Sequence, residues 1–278
     1  MVYQPDDKPL TNEKFSRPKF PMNIPILLTA FGATINSNAT YSHLDRAIRD
    51  HYPDNEIIWS FTSRRAANIR QHSEEPAAVT PEKALQQLLS RGITKVVTQS
   101  LHLLPGREFH ETQRLVNQAG ITSVPAMPLL TTPTDYHEFG EILRPTILAK
   151  PDEAILLLGH GTAHPIWIAY CCLEALLRRT FGSRIFVGVL EKFPDSQALP
   201  GAIQAAGFSK VCIIPFLLVA GMHYHRDIIG DNPNSWKSRL CARGLAVETV
   251  DHGLGLFPGI DKLIIRHLDE AIIRLHAL

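Results

Sequence analysis

The chain has 278 residues, of which 45% are hydrophobic and 20% are charged, and its formal net charge is +1. A chain of this length can bury one large core or two modest ones, and its apolar fraction is ordinary for a soluble globular enzyme. The near-neutral charge excludes the strongly basic footprint of a nucleic-acid-binding protein. Four cysteines without C-x-x-C spacing favour a reducing compartment.

No segment of the sequence predicts export or membrane insertion. Residues 1–22 contain charged residues and four prolines instead of an apolar signal-peptide core, and we expect an N-terminal arm there. The longest apolar runs, residues 24–31 and 211–222, are too short to span a membrane and are typical of buried strands. We therefore expect a cytoplasmic protein with no membrane or nucleic-acid partner, and we leave a homo-oligomer open.

Short apolar runs alternate with helical patterns, which predicts parallel strands joined by crossover helices. In the first half, strands are expected near residues 24–31, 56–61, 94–100 and 122–127. The best-marked helix begins after Thr80, has Pro81 at its first position and ends at Gly92.

A Pro- and Thr-rich stretch, residues 128–133, predicts the boundary between two lobes, residues 1–130 and 131–278. A helix bent at Pro145 is expected over residues 134–149. The second half has expected strands near residues 154–158, 184–190, 210–219 and 246–250, and a final helix over 260–275. The predicted fold class is α/β, with two similar lobes, each a doubly wound parallel β-sheet flanked by helices. Ligands of such sheets gather beyond the carboxyl ends of the strands.

The two halves repeat one sequence pattern. Residues 26–34 align without a gap with residues 155–163, which matches Phe31 with His160. His160 follows a fully apolar run and lies between two glycines, where small neighbours let a backbone or a flat ligand come close. We therefore expect this imidazole at the carboxyl edge of its sheet.

The repeat points to two further ligand-type residues in the second half. The first register matches Thr62 with Glu191, and a second register, set by a Lys-Val pair in each half, matches Glu108 with His223. A set of two imidazoles and a carboxylate suits cobalt, iron, nickel or zinc better than magnesium or calcium. Three protein ligands leave coordination positions open, as catalysis or delivery of the ion requires.

Each of these residues also has a purely structural interpretation. A lone histidine at a strand end is more often packed than metal-bound, Glu191 can simply pair with Lys192, and His225 is interpreted as a bystander. Arginines near the strand ends either bind carboxylates or lie on solvated helix faces, namely Arg64, Arg65, Arg107 and Arg226. The chain has no G-x-G-x-x-G run and no Gly-x-Ser-x-Gly elbow around His160, so a dinucleotide site and a serine hydrolase are not supported.

Several segments in a fixed order resemble one known family. They span residues 26–237 and include Gly159-His160-Gly161-Thr162, Gln99-Ser100-Leu101-His102-Leu103-Leu104-Pro105-Gly106, and Leu218-Val219-Ala220-Gly221. In these segments the chain resembles the class II tetrapyrrole chelatases, specifically the anaerobic sirohydrochlorin cobaltochelatase (CbiK) family. The resemblance implies the class II chelatase fold, with an active-site cleft between the lobes, and insertion of Co²⁺ into sirohydrochlorin during cobalamin synthesis.

The resemblance also implies roles for individual residues. His160, Glu191 and His223 would be both the metal ligands and the catalytic residues. The implied substrate-binding residues are Phe31, Gly32, Ser63, Arg64, Arg65, His102, Pro105, Gly106, Arg107, Gly221 and Met222. Met222 stands where the family has an aspartate before the second histidine, so one charge beside that ligand is missing. The divalent ion is a substrate, expected to be Co²⁺ with Fe²⁺, Ni²⁺ or Zn²⁺ as alternatives, and no organic cofactor is implied. The tetrapyrrole is expected to be sirohydrochlorin or a precorrin-2-like ring.

Two alternatives to cobalt insertion stay open at this point. One is a sister chelatase that inserts iron or nickel into the same ring or a related porphyrin, since ligand identity alone does not set metal preference. The other is a protein that binds a metal or a tetrapyrrole without catalysis, since fold does not decide function.

Overall fold

The computed structural model describes residues 24–33, 37–70 and 78–277. The expected N-terminal arm lies outside these ranges. Five parallel strands form the N-terminal sheet in the order β3-β2-β1-β4-β5. Its strands are β1 (Ile26–Ala30), β2 (Ile57–Phe61), β3 (Ala78–Val79), β4 (Lys95–Ser100) and β5 (Thr122–Ala126). The first strand is central and fully buried, so the chain winds outward from it in both directions.

Helices connect the strands of this first sheet and lead out of it. They are α1 (Asn38–His51), α2 (Arg64–Arg70), α3 (Pro81–Ser90), α4 (Arg107–Ala119) and α5 (Pro133–Leu148). The predicted start of α3 is confirmed, because the Thr80 side chain accepts a hydrogen bond from the backbone N–H of Lys83. Strand β3 was not predicted, since it is only two residues long and pairs only with Trp59 and Ser60 of β2.

The C-terminal sheet has four parallel strands in the order β7-β6-β8-β9. They are β6 (Ala154–Gly159), β7 (Ile185–Val189), β8 (Lys210–Phe216) and β9 (Ala246–Thr249). The helices of this half are α6 (Ile168–Phe181), α7 (Leu199–Ala205), α8 (Trp236–Cys241) and α9 (Ile260–His276), with 3₁₀ turns at Pro165–Trp167 and Leu254–Leu256 and a π-helical turn at Tyr224–Ile228. The predicted α/β architecture with two parallel sheets is confirmed.

The C-terminal helix α9 packs on β4 and β5 of the other sheet. Its buried His267 places Nδ1 3.0 Å from the carbonyl oxygen of Met127 and Nε2 2.9 Å from Oδ1 of Asp135 in α5. Asp135 also forms a capping box with Thr132 at the start of α5. Helix α9 therefore covers part of the N-terminal sheet, although it follows the strands of the C-terminal sheet.

The helices that the structure describes include none that is both long and apolar enough to cross a membrane.

Candidate metal centre

Two glycines fix the backbone around His160, which follows β6. A Cβ atom on Gly161 would lie 1.8 Å from the carbonyl oxygen of Glu191, and Gly161 has a φ of 84°, so only glycine fits there. The N–H of Gly161 donates to the hydroxyl of Tyr170, and a Cβ on Gly159 would collide with that same ring. His160 is therefore held in a tight turn at the carboxyl edge of the sheet.

The structure brings His160 and His223 together. Their Nε2 atoms lie 3.2 Å apart, and the two ring planes meet at 79°. Two nitrogens bound to one tetrahedral ion at about 2.0–2.1 Å are separated by about 3.3 Å. The pair therefore has the spacing of two ligands of a single ion.

Glu191 lies on the opposite side of the His160 ring. Its Oε1 is 3.5 Å from Nδ1 of His160 and 3.0 Å from Nζ of Lys192. Within residues 24–33, 37–70 and 78–277, no three His, Cys, Asp or Glu side chains are arranged to hold an ion. The predicted trio is thus close in space, but only its two imidazoles converge.

Asp227 is a site residue that the sequence reasoning did not assign. Its Oδ2 lies 2.7 Å from Nδ1 of His223, and Arg226 donates to both of its carboxylate oxygens. A carboxylate that accepts the Nδ1–H of a histidine leaves the lone pair on Nε2 for a metal. The available signal was the spacing of four residues in a helical turn, which puts both side chains on one face.

The protonation states suit a cation. Burial lowers the pKa of His160, the nearby His223 lowers it further, and Glu191 partly opposes both effects. A hydrogen bond from Lys192 lowers the pKa of Glu191. A hydrogen bond from Arg226 lowers that of Asp227. A His160 imidazole that resists protonation, with ionised carboxylates nearby, favours a divalent ion.

Backbone pairing corrects one match of the sequence repeat. The N–H of Glu191 donates to the carbonyl oxygen of His160, and the equivalent bond of the first sheet runs from Ser63 to Phe31. Ser63, and not Thr62, is therefore the counterpart of Glu191. The β1–β2 crossover is one residue longer than the β6–β7 crossover, because Ile26 pairs with Ile57 whereas Ile155 pairs with Ile185.

The other candidate residues lie beyond the carboxyl ends of β1, β2, β4 and β8, on loops or in the first turn of the helix that follows. Phe31 and Met222 are 59% and 46% exposed. Arg64, Arg65 and Arg107 occupy the exposed first turns of α2 and α4 and make no ion pair with another described residue. The remaining ones are Gly32, Ser63, Pro105, Gly106 and Gly221. Among the described residues, no hydrogen bond joins any of these candidates to the imidazole of His160 or His223.

His102 has an unusual environment after β4. Its Nδ1 lies 2.9 Å from Oγ of Ser100, while its Nε2 is buried without a hydrogen-bond partner among the described residues. Burial lowers the pKa of His102 to about 4, and the nearby Glu108 offsets this only in part. The imidazole is therefore neutral near pH 7.

Arg226, which the sequence suggested as a carboxylate-binding side chain, is engaged with Asp227 instead.

Comparison with known proteins identifies relatives over nearly the whole chain. A family model described as cobalt chelatase (CbiK) matches residues 25–273. The sirohydrochlorin cobaltochelatase CbiKC of Nitratidesulfovibrio vulgaris is 32% identical over 259 residues, which are 89% of this chain and 90% of that protein. The sirohydrochlorin cobaltochelatase of Salmonella typhimurium is 28% identical over 254 residues, with 89% and 96% covered.

Solved structures share the fold. The sirohydrochlorin chelatase SirB from Bacillus subtilis subspecies spizizenii, in complex with cobalt, aligns with a TM-score of 0.61 at 14% identity, over 92% of this chain and 98% of that one. SirB from Bacillus subtilis with Fe³⁺ aligns with a TM-score of 0.63 at 15% identity.

Proposed function

This chain belongs to the CbiK family of cobalt chelatases, and we propose that it inserts Co²⁺ into sirohydrochlorin. The structural observation that carries the proposal is the 3.2 Å separation of the Nε2 atoms of His160 and His223. Side-chain exposures of 42% and 37% leave these imidazoles open to a second substrate. The ion and the tetrapyrrole are both substrates, and the proposal involves no organic cofactor.

Metal insertion replaces two pyrrolic protons of the ring with one divalent ion. We assign the two imidazoles to hold the ion, because neutral nitrogen donors bind it and release it stepwise to the ring nitrogens. Asp227 keeps His223 in the tautomer whose Nε2 faces the ion.

Glu191 has two tasks in this proposal, and both start from its anionic state. With 47% of its side chain exposed, it can rotate from Nδ1 of His160 toward the ion as a third ligand. In its observed position beside Nδ1 it accepts the Nδ1 proton of His160 once Nε2 has released the ion to the ring and has taken up one pyrrole proton. The second pyrrole proton passes to the solvent that reaches the exposed side of the site.

The rim of the substrate site is assigned to residues at the carboxyl edge of the N-terminal sheet. Sirohydrochlorin carries carboxylate side chains, and exposed arginines bind carboxylates through paired hydrogen bonds. Arg64, Arg65 and Arg107 fit this task because each is exposed and makes no ion pair with another described residue. Phe31 offers an exposed apolar face to the same substrate.

An anaerobic absorbance assay tests the function. Sirohydrochlorin is mixed with Co²⁺, Fe²⁺ or Ni²⁺ and catalytic amounts of wild type, His160→Ala or His223→Ala. We expect turnover fastest with Co²⁺ and reduced at least about 100-fold in each variant, since each removes a ligand. His137→Ala is the matched control, because this exposed histidine lies on α5 and not on a loop at the carboxyl end of a strand. A stoichiometric absorbance change without turnover would instead identify a binding protein.

A further inference from the structure

Two aromatic side chains lie in the loops after β6 and β7, the strands that precede His160 and Glu191. Trp167 ends the 3₁₀ turn after β6, and Phe193 lies two residues beyond Glu191. Their ring centroids are 6.4 Å apart, and the planes are tilted by 45°. We call these two rings the aromatic shelf.

The backbone attaches the shelf to the metal centre. The N–H of Thr162 donates to the carbonyl oxygen of Phe193 at 3.2 Å, in an isolated antiparallel bridge. Because His160 is only two residues from Thr162, this bridge links the backbone of Phe193 to the segment that carries the imidazole. Phe193 is therefore tied by its backbone to the turn that carries the first ligand, and Trp167 is tied to Phe193 by their ring contact.

Packing in the hydrophobic core does not account for the aromatic shelf, because its side chains remain exposed to solvent. Phe193 is 54% exposed and Trp167 is partly exposed, whereas the other two tryptophans, Trp59 and Trp236, are each only 2% exposed. Ile168, beside Trp167, and Met222, beside His223, are 49% and 46% exposed. A group of exposed apolar side chains next to polar ligands marks a site for a large apolar partner.

We propose that Trp167 and Phe193 bind the tetrapyrrole macrocycle by stacking and so position it over the ion that His160 and His223 hold. This inference rests on the proposed function and adds residues that determine the affinity for the ring and not the affinity for the metal. A flat conjugated macrocycle fits because aromatic faces prefer offset or tilted contacts with other π-systems.

Ring binding without metal gives the test. Metal-free protein is titrated anaerobically with sirohydrochlorin, and ring absorbance and tryptophan fluorescence are followed together. Phe193→Leu keeps the apolar volume but loses the ring, so we expect Kd for sirohydrochlorin to rise about 2- to 12-fold. Trp167→Leu likewise keeps an apolar side chain and loses the ring, so we expect a comparable rise in Kd.

Two measurements separate this role from loss of the fold or of the metal site. Co²⁺ affinity in the absence of the ring should change less than about twofold in both variants. Ile273→Ala removes an exposed apolar side chain of α9 and should leave Kd for the ring unchanged. Wild-type Kd for sirohydrochlorin in both shelf variants would overturn the inference. Failure of the proposed function would appear differently, as ring binding by the wild type without turnover on any metal.

Discussion

The Nε2 atom of His160 lies 3.2 Å from the Nε2 atom of His223, and each ring has a carboxylate on its Nδ1 side. Two nitrogen lone pairs repel each other at this distance unless a proton or a cation lies between them. Asp227 is 2.7 Å from its histidine and Glu191 is 3.5 Å from the other. The centre therefore has one firmly oriented ligand and one adjustable ligand.

Asp227→Asn should weaken Co²⁺ use. The amide no longer fixes the Nδ1–H tautomer of His223, and loss of such a partner costs about 10- to 100-fold in metal affinity or activity. Steady-state kinetics with varied Co²⁺ measure this as a higher KM for the metal. Asp251→Asn is the control, because Asp251 also lies within 2.9 Å of a histidine Nδ1, that of His252, which is not a proposed ligand. Equal kinetics for the two variants would rule out the orienting role.

Gly161→Ala should disrupt the centre, since its Cβ would lie 1.8 Å from the backbone oxygen of Glu191. Gly207 also has a positive φ, of 86°, but a Cβ atom added there would meet no described residue beyond its chain neighbours within 4 Å. Gly207→Ala should therefore cost only the left-handed strain of about 1–2 kcal/mol and keep full activity. Chemical denaturation and the insertion assay compare the two. Full activity in Gly161→Ala would show that the tight turn does not position His160.

The order of strands and helices follows from the sequence because alternating apolar runs and helix caps are local signals. The matching of His160 with Phe31 also holds in the structure, since both follow the first strand of their sheet. The second register, which matches Glu108 with His223, holds as well. Ile26 pairs with Val97 and Ile155 pairs with Cys212, and Val97 and Cys212 are 115 positions apart, as Glu108 and His223 are.

Other features depend on contacts that the sequence does not display. Asp227 contacts His223 across a helical turn that no apolar periodicity predicts. The one-residue difference in length between the two crossovers made the sequence match Glu191 with Thr62 instead of Ser63. The packing of α9 on the first sheet is set by buried polar contacts such as that of His267 with Asp135, which lie 132 residues apart.

Asp135→Asn should destabilise the fold. Asp135 is fully buried and accepts hydrogen bonds from Thr131, Thr132 and Arg266. Arg266 is partly exposed and keeps Glu138 and Glu270 as partners, so the loss of the charged hydrogen bonds of Asp135 should cost about 1.5–3 kcal/mol in the free energy of unfolding. Glu141→Gln is the control on the same helix, where the exposed pair with Arg144 should contribute at most about 1 kcal/mol. Urea denaturation compares the two losses.

The same carboxylate predicts a pH dependence. Burial alone would raise the pKa of Asp135, but hydrogen bonds from Thr132, Arg266 and His267 outweigh it and hold the pKa far below its ordinary value. Its contribution to stability is therefore complete above the unfolded pKa of about 3.9 and declines as the pH falls below it. Between pH 4 and pH 2 the wild type should lose stability more steeply than Asp135→Asn. Parallel curves would contradict this.

Met222→Asp should tighten Co²⁺ binding, since it adds a carboxylate directly before His223 at a position that is 46% exposed. An exposed charge contributes up to about 1 kcal/mol, which is up to about fivefold in Kd. Met222→Leu keeps the side chain neutral and should leave Kd unchanged. Isothermal titration with Co²⁺ measures both. An unchanged Kd in the aspartate variant would place residue 222 away from the ion.

A double-mutant cycle on Co²⁺ affinity most directly tests whether His160 and His223 hold one ion. Co²⁺ binding is measured in the wild type, in His160→Ala, in His223→Ala and in the double variant. If one ion bridges the two imidazoles, the losses are strongly non-additive and the double variant is hardly weaker than either single one. Additive losses, or wild-type Co²⁺ affinity in either single variant, would contradict a shared ion.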